Sequence, residues 1–196
     1  MDLVPQLLFQ ILMGIGLAAS AGLRAFLPLL VVGVAGRAGW VPLSDNFAWL
    51  SDWPALTVLA VAVLAEVLSD KFPAVDNFLD MIQVFVKPVA GTILVASVVT
   101  DLSPLQTTVL ALILGSGTAG TVHIVKAKTR LVSTVSTAGV ANPVLSVAED
   151  TASLAGSVLS IIVPPVVVLV LVFTLVFVYV QVRKGRLGLP GSRNDG

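Results

Sequence analysis

The stretch "SIIVPPVVVLVLVFTLVFVYV", Ser160–Val180, carries no charge over 21 residues and is Val-, Leu- and Phe-rich throughout. A bilayer core takes about 20 mostly apolar residues as a helix. This segment therefore reads as a lipid-facing span and sets the class of the chain. Working outward, the same character holds: 57% of the 196 residues are hydrophobic, 11% are charged, and the mean hydropathy is +1.03. Soluble domains carry roughly 25% charged residues. The deficit runs along the whole chain, so the expected fold is an all-α integral membrane protein and not a soluble domain with one anchor.

Six apolar stretches are candidate crossings, at about 6–35, 54–69, 82–100, 104–125, 131–158 and 159–182. Most are interrupted by Gly, Pro or Ser. Non-helical backbone is tolerated at membrane depth only where protein or a water-filled cavity surrounds it. The N-terminus, "MDLVPQLLFQ", lacks a basic leader region and a small-residue cleavage site, so Leu7 onward is expected to be the first span. One membrane domain over 1–182 is expected, with a basic, disordered tail over 183–196.

The loop "GRAGWVPLSDNFAWLSDWP" holds Trp40, Trp49 and Trp53, every tryptophan in the chain. Tryptophan favours the headgroup zone, which predicts an interfacial element. The stretch "SDKFPAVDNFLD", with Asp70, Lys71, Asp76 and Asp80, is expected to be a second interfacial linker. Lys and Arg gather in "VKAKTR" and "VRKGRLG". With six crossings, the positive-inside rule predicts both termini on the cytoplasmic side of a bacterial inner membrane.

An internal likeness is visible. "RAFLPLLVVGVAG" (Arg24–Gly36) aligns with "RLVSTVSTAGVAN" (Arg130–Asn142), and Gly14 then falls on Gly120. The only glutamates, Glu66 and Glu149, each follow a small-apolar pair, and "FVKPVAG" aligns with "IVPPVVV". Arg, Gly-Val-Ala, Ala-Glu and Pro-Val thus recur in one order. This predicts two inverted three-helix repeats, about 10–100 and 116–182, with broken helices, an architecture common among secondary transporters.

The segments "GLRAFLPLL", "DKFPAVDNFLD", "VKPVAG", "KTR" and "ANPVLSVAED" resemble an uncharacterised bacterial integral-membrane family known only by a domain-of-unknown-function label. The resemblance spans nearly the whole chain up to about Val182. It implies a compact polytopic membrane protein and brings no substrate or catalytic residue with it.

Arg24 interrupts the first span, where a lone charge costs at least roughly 2.5–3.5 kcal/mol. One reading is that it snorkels to the interface. The other is that Ser20-Ala21-Gly22 breaks the helix and Arg24 pairs with a carboxylate or binds an anion. Arg130, at the aligned position, favours the second, and each guanidinium can grip a phosphate or carboxylate bidentately. Glu66, one turn before Asp70, and Glu149, directly before Asp150, are candidate coupling groups or the structural counter-ions of Arg24 and Arg130. Ser133, Thr134, Ser136 and Thr137 form a polar patch that either lines a pathway or satisfies freed backbone.

Other features are expected to be plain. His123 has no partner at metal-ligand spacing, so no metal site and no cofactor are expected. Lys126 and Lys128 are expected to meet headgroups or set orientation. Lys87-Pro88 is expected to open a helix. "GSGTAG" (Gly115–Gly120) is expected to be a small-residue packing face, not a nucleotide loop. No cysteine is present and the net charge is zero, which excludes thiolate chemistry and gives no case for nucleic acid. No enzyme constellation is visible. The functional expectation is a small transporter or channel for an anionic solute or lipid phosphate, with Arg24, Arg130, Ser133, Thr137 and Asn142 on the substrate and Glu66, Asp70, Glu149 and Asp150 as coupling or ion-pair groups. The alternative is a membrane scaffold, a homo-oligomer in which the same charges form a clamp. Membrane lipids are partners in either case.

Overall fold

A chain this apolar has no water to satisfy its backbone inside a bilayer, so its N–H and C=O groups close on themselves as helices. The computed structural model describes residues 3–69 and 73–183, the side chains of 3, 73–80 and 182 excepted. Within it lie helices α1 (Leu3–Leu23), α2 (Phe26–Arg37), α3 (Trp53–Ser69), α4 (Pro73–Val98), α5 (Pro104–Leu110), α6 (Gly117–Thr137), α7 (Asn142–Ile162) and α8 (Pro164–Arg183). A 3₁₀ segment, Asp45–Ser51, precedes α3, and a π-helical segment, Ala111–Ser116, joins α5 to α6. No strand occurs among the described residues. The protein is an all-α membrane protein. Five helices are long and apolar enough to cross, and the 3₁₀ segment with α3, bent by 65°, adds a sixth candidate.

α1 is the axis of the bundle, touching α4, α6, α7 and α8 along its length. Leu17, Ala18 and Ala21 are fully buried. Between α1 and α7 the contact is made by serines. Ser146, Ser153, Ser157 and Ser160 are all buried on one face of α7, and Ser153 donates to the Ser20 carbonyl at 3.0 Å. Ser157 and Ser160 donate to carbonyls one turn back, at 2.6 Å each. Small hydroxyl residues that satisfy themselves this way let helices approach closely in lipid, where apolar bulk gives no association force. α8 presents Leu169, Phe173 and Tyr179 outward, as its sequence predicts.

Several expectations change. The first stretch is two helices: α1 continues through Ser20-Ala21-Gly22 and stops at Leu23, one turn later than expected. α2 then folds back along α1, bringing Trp40 and Val41 to a cavity shared with Phe9, Gln10 and Met13. The stretch 131–158 is divided by a turn. Ala138 and Gly139 have φ of 49° and 82°, and α7 starts afresh at Asn142-Pro143. Lys87-Pro88 opens no helix: Pro88 lies inside α4, which begins at Pro73.

The aligned landmarks fall at unequal places. Arg24 sits at the break between α1 and α2, whereas Arg130 lies within α6. Pro88 lies within α4, whereas Pro165 is the second residue of α8. Matching sequence signals therefore serve different local structures.

At the opposite end of α1 from Arg24, the tryptophans are exposed: Trp40, Trp49 and Trp53. Arg37 stacks 4.3 Å over the Trp53 ring and donates to the Ser51 carbonyl at 3.1 Å. Asp70 and Lys71, and the tail from Lys184 onward, lie outside the described residues.

Candidate functional site

Among the described residues, the buried charges collect near the C-terminal end of α1. Chain direction explains the first part. α1 ends at Leu23, so its last carbonyls are unsatisfied, and α2 starts at Phe26, so its first N–H groups are too. Glu66 on α3 meets the second need. Its Oε1 accepts the Ala25 N–H at 2.9 Å and its Oε2 accepts the Phe26 N–H at 3.3 Å. A carboxylate at a helix N-terminus also meets the favourable end of the helix dipole. Lys126 meets the first need, donating to the Leu23 carbonyl at 3.0 Å. It can reach because Gly22 has no side chain: a Cβ there would lie 2.6 Å from the Ala119 carbonyl oxygen, so α6 could not pack this close.

Arg24 lies between these caps and is 1% exposed. Its Nη1 donates to the Glu66 carbonyl at 3.2 Å, its Nη2 donates to Ser146 Oγ at 3.0 Å, and its Nε forms an ion pair with Asp150 Oδ1. Arg130 donates from Nη2 to the same Ser146 Oγ at 3.2 Å and faces Glu149 Oε1 at 3.5 Å. Glu149 Oε2 also pairs with Lys126 at 2.9 Å. The two guanidiniums thus converge on one hydroxyl, with the neighbouring carboxylates of Glu149 and Asp150 holding one each.

A second polar layer adjoins on α4 and α6. Gln83 donates to Glu66 Oε1 at 3.3 Å. Lys87, one turn further along α4, is wholly buried and lies 3.1 Å from His123 Nδ1. Among the described residues the assembly counts Arg24, Lys87, Lys126 and Arg130 against Glu66, Glu149 and Asp150. Charges removed from water cost several kcal/mol each and are tolerated when paired and hydrogen-bonded. That requirement accounts for the density of contacts here.

Set against the sequence, Arg24, Arg130, Glu66, Glu149 and Asp150 do come together. Their pairing differs. Among the described residues, Asp150 and not Glu66 forms an ion pair with Arg24, and the Glu66 carboxylate is taken up capping α2. Ser133, Thr134, Thr137 and Asn142 bond among themselves and to the turn, with Ser133 and Asn142 one turn along α6 and α7 from Arg130 and Ser146. Ser133 donates to Asn142 Oδ1 at 3.1 Å, Asn142 donates to Thr134 Oγ1 at 3.0 Å, and Thr137 Oγ1 accepts the Ala141 N–H at 3.2 Å. They tie the α6–α7 turn. Asp70 lies outside the described residues. The sequence reading missed Lys87, Gln83 and Ser146, and it gave Lys126 to headgroups or to orientation, whereas Lys126 is buried. Lys87 had a signal: it is the one basic residue in an apolar run from Met81 to Val98. No group of three or more His, Asp or Glu suited to a metal occurs among the described residues.

No curated protein and no solved structure matches the chain. A family model does, over residues 11–184, and by that match the protein belongs to the family described as a domain of unknown function, DUF4126.

Proposed function

We propose that the protein moves a small anion, or the phosphate of a lipid headgroup, across or within the membrane, and that Arg24 and Arg130 bind it. The observation that carries this reading is the convergence of two guanidiniums on Ser146 Oγ. Like charges this close in low dielectric repel strongly unless an anion lies between them. Here Glu149 and Asp150 supply the negative charge. They are adjacent on α7, so a small turn or slide of that helix withdraws both at once and leaves the arginines to an external carboxylate or phosphate. Asp150, at 27% side-chain exposure, is the member an incoming anion meets first.

A clamp is the second reading, favoured by the 1% exposure of Arg24 and by the position of the cavities, which lie toward the tryptophan end. Thermal unfolding in detergent with phosphate, acetate and citrate, and anionic against zwitterionic lipid, separates the two. Specific stabilisation lost in both Arg24→Gln and Arg130→Gln, with flux of the same anion into proteoliposomes, supports transport. Equal destabilisation of both variants with no anion response supports the clamp.

A further inference from the structure

A cavity of about 360 Å³ lies at the tryptophan end, between the 3₁₀ segment, the C-terminal half of α4 and α5. Its polar lining includes Ser44, Asp45, Asn46, Thr92, Thr107 and Thr108. The direction of the hydroxyl groups is informative. Thr92 donates to the Pro88 carbonyl at 2.9 Å, Thr108 to the Pro104 carbonyl at 2.8 Å, and Ser44 to the Ala96 carbonyl at 3.0 Å. A hydroxyl has one hydrogen and two lone pairs. With that hydrogen committed to backbone, each of these three offers only acceptor capacity to the cavity, and Asp45 adds a carboxylate. These three acceptors beside the Asp45 carboxylate suit a hard cation, whose hydration shell oxygen dipoles replace, while Asn46 and Thr107 keep donors of their own.

We propose that this cavity is a binding site for a small monovalent cation. The site is separate from the arginine cluster and does not depend on that cluster's carrying an anion. Its inner end is Thr92. Beyond it, Gly91 and Gly115 bring α4 and the π-helical segment together backbone to backbone, which closes the cavity toward Lys87. The cation therefore enters from the tryptophan face.

The chain has no cysteine, so single cysteines report on the site without background. Thr107→Cys, at a lining position outside those three acceptors, should react at least tenfold faster with a positively charged methanethiosulfonate than with a negatively charged one, and the favoured alkali cation should slow that reaction. In detergent at fixed ionic strength, replacing choline by lithium, sodium, potassium or ammonium should raise the unfolding temperature for one of them, saturably. Asp45→Asn should abolish the rise, while Arg24→Gln should leave it intact. Equal reaction rates for the two reagent charges, or no cation that raises the unfolding temperature of the unmodified protein, would overturn the proposal. The first readout needs no charge variant to fold, so both outcomes are decisive.

Discussion

Replacing Glu66 by Gln tests the reading of the cluster most directly. The amide has the shape of the carboxylate but only one acceptor oxygen. Either Ala25 N–H or Phe26 N–H then faces an NH₂ group, donor against donor, at a site that is 3% exposed. A charge-assisted bond, roughly 1.5–3 kcal/mol, is lost, and a buried donor left unpaired costs about 1–3 kcal/mol more. The sum, about 2.5–6 kcal/mol, brackets the roughly 3–5 kcal/mol that breaking a buried charged arrangement costs. For a chain of this size each kcal/mol lowers the midpoint by about 2–4 °C, so Glu66→Gln should unfold roughly 6–20 °C below the unmodified protein. Far-UV circular dichroism in detergent, with exposed Asp52→Asn as control, measures this. Because the Glu66 carboxylate caps α2 and Arg24 meets Asp150, adding Arg24→Gln should not restore stability. A midpoint equal to the control, or rescue by Arg24→Gln, would refute the capping role.

Arg24→Lys should lose at least half of the stability that Arg24→Gln loses in the same melt, since one ammonium cannot reach the Glu66 carbonyl, Ser146 and Asp150 from a single point. Within "GSGTAG", Gly115→Ala should destabilise, because its Cβ would meet Gly91 backbone, whereas Gly117→Ala, with open space around it, should be neutral or gain about 0.5–1 kcal/mol of helix propensity. Lys87→Met and His123→Phe should not add: a double-mutant cycle in chemical denaturant should return a coupling of about 0.5–3 kcal/mol.

The membrane class, the exposed tryptophan loop and the gathering of Arg24, Arg130, Glu66, Glu149 and Asp150 were legible because each is a local contrast, a charge in an apolar run or an aromatic at a boundary. What was not legible depends on rotation and depth. Whether Arg24 takes Glu66 or Asp150 is decided by which face α7 presents, and the buried serines that fix that face, Ser146, Ser153, Ser157 and Ser160, share a helical stripe that was not weighed. The α6–α7 turn carries its own signals, Ala138-Gly139 and Asn142-Pro143, which stand inside a stretch whose interspersed valines and leucines read as one crossing. Pro88 misled for a physical reason. Proline marks helix starts in water, whereas within a bundle in lipid neighbouring groups re-satisfy the freed backbone.

Pro88 has a further consequence. α4 carries Gln83 and Lys87 on the arginine side and Thr92 on the cavity side, so one helix lines both proposed sites. Pro88 removes a hydrogen bond between them and leaves a point where the two halves of α4 bend independently of a full ladder. A cation on Thr92 and an anion on Arg24 and Arg130 would then be linked through the angle of this helix, and linkage is reciprocal: each ligand should tighten the other by the same factor, typically about 5–150-fold. Pro88→Ala completes the ladder. It should hold or raise the unfolding temperature, yet the combined stabilisation by cation and anion should fall to the sum of the separate effects. A proline-free α4 that keeps the full mutual enhancement would show that the two sites communicate by another route, through α1, which also runs about 21 Å from Gln10, beside Thr100, to Arg24.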